Sequence, residues 1–441
     1  MKIDTRFCLY SLLIVICAII IGTVSLIFVY ALPSSRTMYN AQKSIDIYQR
    51  EGAYPSWAPG KASAGLDNFT DAIMIENAIF PGSGHLVEDA MLNPRYAYPK
   101  KNPTDSLIKE LQGETQDRTI IHYARYWHGY LLYLKPLLTL RPVKDIRLLN
   151  GTLQIILAFY LFSLIARKLD YKYGWAFLCS YITLNPISLA MSFQYSSMYY
   201  IMMLGSIYLL KKWNKSWLSN KYIYFFIVIG TVTAFFDFLT YPLISYGIPM
   251  ALLLILANQG NCLCQKFDGI VISIKGGIAW GFGYCGMYMG KWIISWLLTG
   301  YNTFLEASRQ ASYRMSISTV GGEGNVSFHA WNVIVKNLAV LAKDPIFIFS
   351  MILCFLCLYL ILKKKGTITN KSNISLQYAL GLVSISPLVW YSVLTNHSYV
   401  HSWFTFRELS IFIFSIGCLL VSKLLEKEND SRNIEYYREN K

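Results

Sequence analysis

Long uncharged apolar runs, separated by short basic or polar stretches, dominate the chain. Residues 8–30 form the first, after Lys2 and Arg6. An apolar core of this length exceeds the roughly 7–15 residues of a cleavable signal, so the run reads as a retained first span that starts in the cytoplasm. Further runs lie at about 146–166, 173–191, 195–210, 221–238, 242–257, 269–299, 345–362, 376–395 and 409–422. With roughly 20 residues as the crossing length, they predict about ten spans. Continuous runs imply helices rather than barrel strands, because backbone in lipid must satisfy its own hydrogen bonds. Asn185-Pro186 should kink the third span, since proline removes a helical N–H. The stretch 128–140 is short and carries Lys135 and Pro136, which fits an interfacial or re-entrant helix. Lys275 and Lys291 leave the register within 269–299 open.

The basic clusters at 167–172, 211–221 and 363–371 fall on one side of this alternation. Short cytoplasmic loops are the ones enriched in Lys and Arg. The expected fold is therefore an all-α, polytopic transmembrane bundle in the cell membrane, with both termini cytoplasmic. It divides into a cytoplasmic N-terminus and first span (1–30), a long outer loop with interfacial helices (31–145), and a transmembrane body (146–299). A second outer segment (300–344), C-terminal spans with an outer turn at 396–408 (345–422) and a cytoplasmic tail (423–441) complete it.

Composition agrees with this reading. The chain is 54% hydrophobic and only 15% charged, whereas a soluble domain carries about a quarter charged residues. Its mean hydropathy is +0.36. The net charge of +15 comes from Lys and Arg lying largely between apolar runs, so topology accounts for it and nucleic acid is not an expected partner. Seven of the nine cysteines lie in or beside apolar runs. Cys262 and Cys264 share a short loop with no second ligand pair, so neither a disulfide framework nor a metal site is indicated.

All six histidines (His85, His122, His128, His329, His397 and His401) fall on the predicted outer side, which places any chemistry there. In the first outer loop, Asp67 and Asp71 stand four apart and share a face if helical. They fit a base for an acceptor hydroxyl, or a helix cap with Thr70. Arg125, Tyr126 and His128, within an aromatic cluster at a membrane entry, fit a sugar ring and a phosphate, or an aromatic belt with a snorkelling arginine. Asp237 sits among aromatics at a span end, where a carboxylate needs a partner or a function. His397 and His401 have metal-ligand spacing but no carboxylate between them; Tyr399 lies in the same turn. Arg407 and Lys291 fit either a lipid phosphate or snorkelling. Arg309 and Arg314 are further anion contacts. A cavity holding Asp67, His128, Asp237 and Arg407 together is the expected geometry of a site.

The segments LDNFTDAIM, YARYWHGYLLYLKPLL, FFDFLTYP and NHSYVHSWFTFRE resemble those of a family of bacterial multispanning membrane glycosyltransferases. The arrangement of a first span, a long outer loop with an aspartate and many later spans resembles the GT-C superfamily. The resemblance implies sugar transfer from a polyprenyl-phosphate donor to a surface glycan or lipid-linked acceptor outside the cytoplasm. It also implies a catalytic base at Asp67 or Asp71. Some members use a divalent metal, but no ligand set here stands out. A transporter or flippase for a lipid-linked glycan, which would carry polarity through to the cytoplasmic face, is the alternative from another class. A surface polysaccharide polymerase is the enzymatic one.

Overall fold

A computed structural model describes residues 5–319, 326–344 and 374–439, together with 348, 349, 352 and 356. The described residues are mostly helical, 76% against 3% strand. Among the described residues five helices are long and apolar enough to cross a membrane: Thr5–Ala31, Val143–Lys168, Asp268–Thr299, Ile374–Val393 and Ser402–Lys423. Their outward faces carry exposed large apolar side chains, such as Ile20, Phe28, Phe159, Ile278 and Leu297.

The middle of the bundle is built differently. Ile244–Gln259 is apolar all round and buried continuously from Ile244 to Ala257, as a helix surrounded by other helices must be. It packs against Phe193–Lys212, Lys221–Phe236, Asp268–Thr299, Ile374–Val393 and the last helix. Lys221–Phe236 and Ile244–Gln259 have 16 residues each, about 24 Å, against about 30 Å for a hydrocarbon core. Their sequences read as spans, but their lengths do not reach across unaided. Lys221–Phe236 and Asp268–Thr299 meet backbone to backbone. A Cβ on Gly230 would stand 2.1 Å from the Trp280 carbonyl oxygen, and one on Gly283 would stand 2.2 Å from that of Ile227. Only glycine permits this backbone contact.

The predicted third span is two helices, Tyr171–Thr183 and Pro186–Met191, broken where proline was expected to act. Asn185 turns the chain at φ 58°, and its side-chain oxygen accepts from the Ser188 N–H at 3.2 Å. The stretch at 128–140 contains the short helix Leu131–Leu140, too short to cross. The last helix runs unbroken from Leu409 to Glu439, into the charged tail. Most of the expected eighth span, 345–362, and the 363–365 lysines lie outside the described residues.

Segment 31–145 folds into a packed layer rather than an open loop. It holds helices Ser35–Gln42, Ile45–Glu51, Asn68–Ile79, Leu86–Leu92, Pro103–Leu111 and Leu131–Leu140. It also holds a feature the all-helical expectation omits: an antiparallel ribbon pairing Arg95–Ala97 with Thr119–Ile121. The layer is pinned to the bundle at Gly129, whose N–H donates to the Phe235 carbonyl at 2.9 Å. A Cβ there would come within 2.4 Å of the Phe235 ring, so glycine is required for the contact.

Candidate functional site

A cavity of about 470 Å³ lies where the start of Asn68–Ile79, the Tyr123–Tyr126 loop, the end of helix Thr303–Arg314 and the turn 397–404 converge. Of the residues singled out in the sequence, Asp67, Arg125, Tyr126, Arg314, His397 and His401 line it. Segments far apart in the chain thus meet at one place.

Asp67 is the N-cap of Asn68–Ile79. Its Oδ1 accepts from the Thr70 N–H at 3.0 Å and its Oδ2 from the Thr70 hydroxyl at 2.8 Å. The capping role is therefore real, and the same side chain reaches the cavity. Burial raises its pKa to about 6, against the lowering effect of the Thr70 bonds. Asp71 faces elsewhere. Its carboxylate accepts from the Phe193 and Gln194 N–H groups at 3.0 and 3.1 Å. It thereby caps Phe193–Lys212, whose own Ser192 supplies no side-chain cap. Burial raises its pKa to about 7, opposed by Arg147.

Two histidines form the opposite wall, 4.9 Å apart between ring centres. The His397 Nε2 lies 2.6 Å from the Leu239 carbonyl and donates to it. Burial and the charge of Arg314 push its pKa down to about 3, so the ring is neutral and Nδ1 is a bare acceptor. The guanidinium Nη1 of Arg314 donates to His401 Nε2 at 2.9 Å. His401 is held well below its usual range by burial and by His397 beside it. Arg125 stacks on Tyr123 at 4.3 Å and pairs with Glu306 at 2.6 Å. Three buried polar atoms on cavity-lining residues have no protein partner: Arg125 Nε, Gln194 Oε1 and His397 Nδ1. Such atoms are costly unless a ligand or water satisfies them.

The expected four-residue convergence does not form; of Asp67, His128, Asp237 and Arg407, only Asp67 lines the cavity. His128, at φ 55°, sits beneath it with its ring nitrogens bonded to the Tyr130 hydroxyl at 2.9 Å and the Tyr123 carbonyl at 2.8 Å. The Asp237 carboxylate organises the turn that follows its helix. Its Oδ1 accepts from the Thr240 N–H and hydroxyl, and its Oδ2 from the Tyr284 hydroxyl. Lys291 donates to the Ala90 and Met91 carbonyls and to Asn93 Oδ1, so it caps the C-terminus of Leu86–Leu92. Arg407 stacks on Tyr195 at 4.2 Å and donates to the Leu184 carbonyl at 2.9 Å, closing the helix break at Asn185. Tyr399 stacks on Phe328, with ring centres 3.9 Å apart. Each of these groups makes local contacts that serve the fold, although the Nη2 of Arg407 is buried with no hydrogen-bond partner among the described residues.

The cavity also recruits residues the sequence did not single out. Arg95 lines it and pairs with the buried Glu76 at 2.6 Å, whose pKa burial raises to about 8 despite that arginine. Gln194, Phe238 and Trp403 complete the wall. Only the aromatic character of the quoted motifs hinted at the last two. Among the described residues, no three His, Cys, Asp or Glu side chains converge as a metal ion would require.

The arrangement suits an oxygen-rich, partly anionic ligand: one carboxylate, three guanidiniums, neutral imidazoles and aromatic walls. Comparison with family models, curated proteins and solved structures returns no match.

Proposed function

We propose that the chain is a membrane glycosyltransferase of GT-C type that acts at its outer face, moving a sugar from a polyprenyl-phosphate donor to a surface glycan or lipid-linked acceptor. The observation that carries this reading is the cavity, where Asp67 stands with Arg95, Arg125 and Arg314 between aromatic walls. Asp67 accepts the proton of the acceptor hydroxyl as that oxygen attacks the anomeric carbon. The bond from that carbon to the phosphate oxygen breaks, and the polyprenyl phosphate departs as an anion stabilised by Arg125 and Arg314. His397 Nδ1 and Gln194 Oε1 accept from sugar hydroxyls.

This assignment places the role of base on Asp67 and leaves Asp71 as a helix cap. It moves the phosphate contact from Arg407 and Lys291 to the arginines of the cavity. The ten-span topology, with cytoplasmic termini, is part of the proposal. Deleting the gene should remove one sugar from the surface glycans, and the purified chain in lipid should transfer labelled sugar from a polyprenyl-phosphate donor. Unchanged surface glycans together with no transfer from a panel of such donors would reject the reading. Movement of an intact lipid-linked glycan across vesicles would favour the flippase instead.

A further inference from the structure

Beside the cavity lies a second, more open one of about 570 Å³, walled by the loop from Tyr54 to Leu66 and by Val400. Tyr54, His401 and Trp403 line both, so the two are adjoining lobes of one depression. The Tyr54 ring stacks on Phe69 with centres 5.6 Å apart and meets Trp403 edge-on at 5.6 Å. Tyr54 is 61% exposed, so much of its ring is open to a ligand.

The outer lobe is firmly built. The Leu66 N–H donates to the Pro55 carbonyl at 2.8 Å, the Trp57 indole to the Ser188 hydroxyl at 3.0 Å, and the Lys61 ammonium to the Lys343 carbonyl at 3.0 Å. Trp403 lies against the backbone at Gly65, where a Cβ would stand 3.3 Å from the ring. The two lobes differ in charge. The inner one gathers Asp67 and three arginines. Among the described residues lining the outer lobe, Lys61 alone carries a fixed charge, and it is bonded to a carbonyl.

We propose that the outer lobe binds an uncharged saccharide chain whose terminal residue occupies the inner lobe, so that the acceptor is an oligosaccharide or polymer end. Sugar rings present flat C–H faces that pack on aromatic rings and hydroxyls that remain solvated at an open rim. Two aromatic rings, Tyr54 and Trp403, at the junction of the lobes and few charges beyond it fit that chemistry, whereas a second phosphate would need a cluster of cations like the three arginines of the inner lobe, not the single Lys61. The word acceptor rests on the transferase reading above; binding of the chain does not.

The test uses the full-length protein in nanodiscs. The probe is the source cell's own surface glycan, cleaved by mild acid and fractionated by length, with binding measured by titration calorimetry. Longer fragments should bind roughly tenfold or more tightly than single sugars, as one or two aromatic contacts provide. Trp403→Ala and Tyr54→Ala should abolish that length dependence. Ala62→Trp, placed at an exposed position of the outer lobe, should do the same by filling it, which guards against misfolding of the ring deletions. Length-independent binding, absence of binding, or a length dependence that survives Ala62→Trp would overturn the proposal. Length-dependent binding by a protein whose Asp67→Asn variant transfers sugar normally would overturn the catalytic assignment and leave this one standing.

Discussion

Asp67 and Asp71 lie one helical turn apart, and exchanging each for asparagine should produce opposite failures. Asparagine caps a helix as well as aspartate does. Its amide oxygen can keep the 3.0 Å bond from the Thr70 N–H, so at low pH, where the aspartic acid is itself neutral, Asp67→Asn should change stability by no more than about 0.5 kcal/mol. It cannot take a proton, and loss of a positioned base costs about 10²–10⁴ in rate. Asp71 uses both oxygens on the Phe193 and Gln194 N–H groups. Its asparagine variant retains one acceptor and leaves one buried donor unpaired, at about 1–3 kcal/mol. Asp71→Ala leaves both unpaired, for about 2–6 kcal/mol in all. The assay pairs thermal unfolding in nanodiscs with initial rates of sugar transfer, at matched protein levels and below every unfolding midpoint. The reasoning fails if Asp67→Asn retains more than about a tenth of the wild-type rate, or if Asp71→Asn is as heat-stable as Asp67→Asn.

The pH profile follows from the raised pKa of Asp67, about 6. Transfer should rise about tenfold per unit below that value and level off above it, whereas an ordinary carboxylate would be almost fully ionised by pH 5. The sign for stability is opposite: between the ordinary value of 3.8 and about 6 the folded state binds the proton that the unfolded chain has released. This group therefore destabilises the fold as pH rises through that window, and Asp71 does so up to about 7. Chemical denaturation of wild type against Asp67→Asn across this range reads that contribution. Arg125→Ala should raise the KM for the donor by about tenfold to a hundredfold, the value of a hydrogen bond to a charged group, and should weaken inhibition by polyprenyl phosphate. Lys291→Met should lower the unfolding midpoint by stranding the Ala90 carbonyl and Asn93 Oδ1, a loss of about 2–6 kcal/mol, while leaving KM and kcat unchanged at permissive temperature.

Helix placement was legible because the chain punctuates itself. Asn185-Pro186 breaks the third run. Lys211-Lys212 ends the Phe193 helix, and Gly300 ends the longest one in a left-handed turn. The span count was less legible, because apolar composition does not separate a helix facing lipid from one enclosed by other helices. Ile244–Gln259 is the clearest instance. Site residues were harder still. Charged groups in apolar surroundings have two ways to be satisfied, by a ligand or by the end of a helix, and sequence spacing does not distinguish them. Lys291 and Arg407 bond the carbonyls at a helix end, and Asp237 found its partners in the turn after its helix and in Tyr284. Glu306 and Gln194 gave no local signal at all, since their importance comes from neighbours more than a hundred residues away.

The glycine contact between Lys221–Phe236 and Asp268–Thr299 bears on traffic as well as on packing. With a carbonyl of each helix occupying the place of the other's missing Cβ, that seam has no width for an acyl or isoprenoid chain to slip through. A molecule reaching the bundle sideways through the bilayer must find its doorway between other helices. Widening this seam with alanine would deform a wall and open no new entrance.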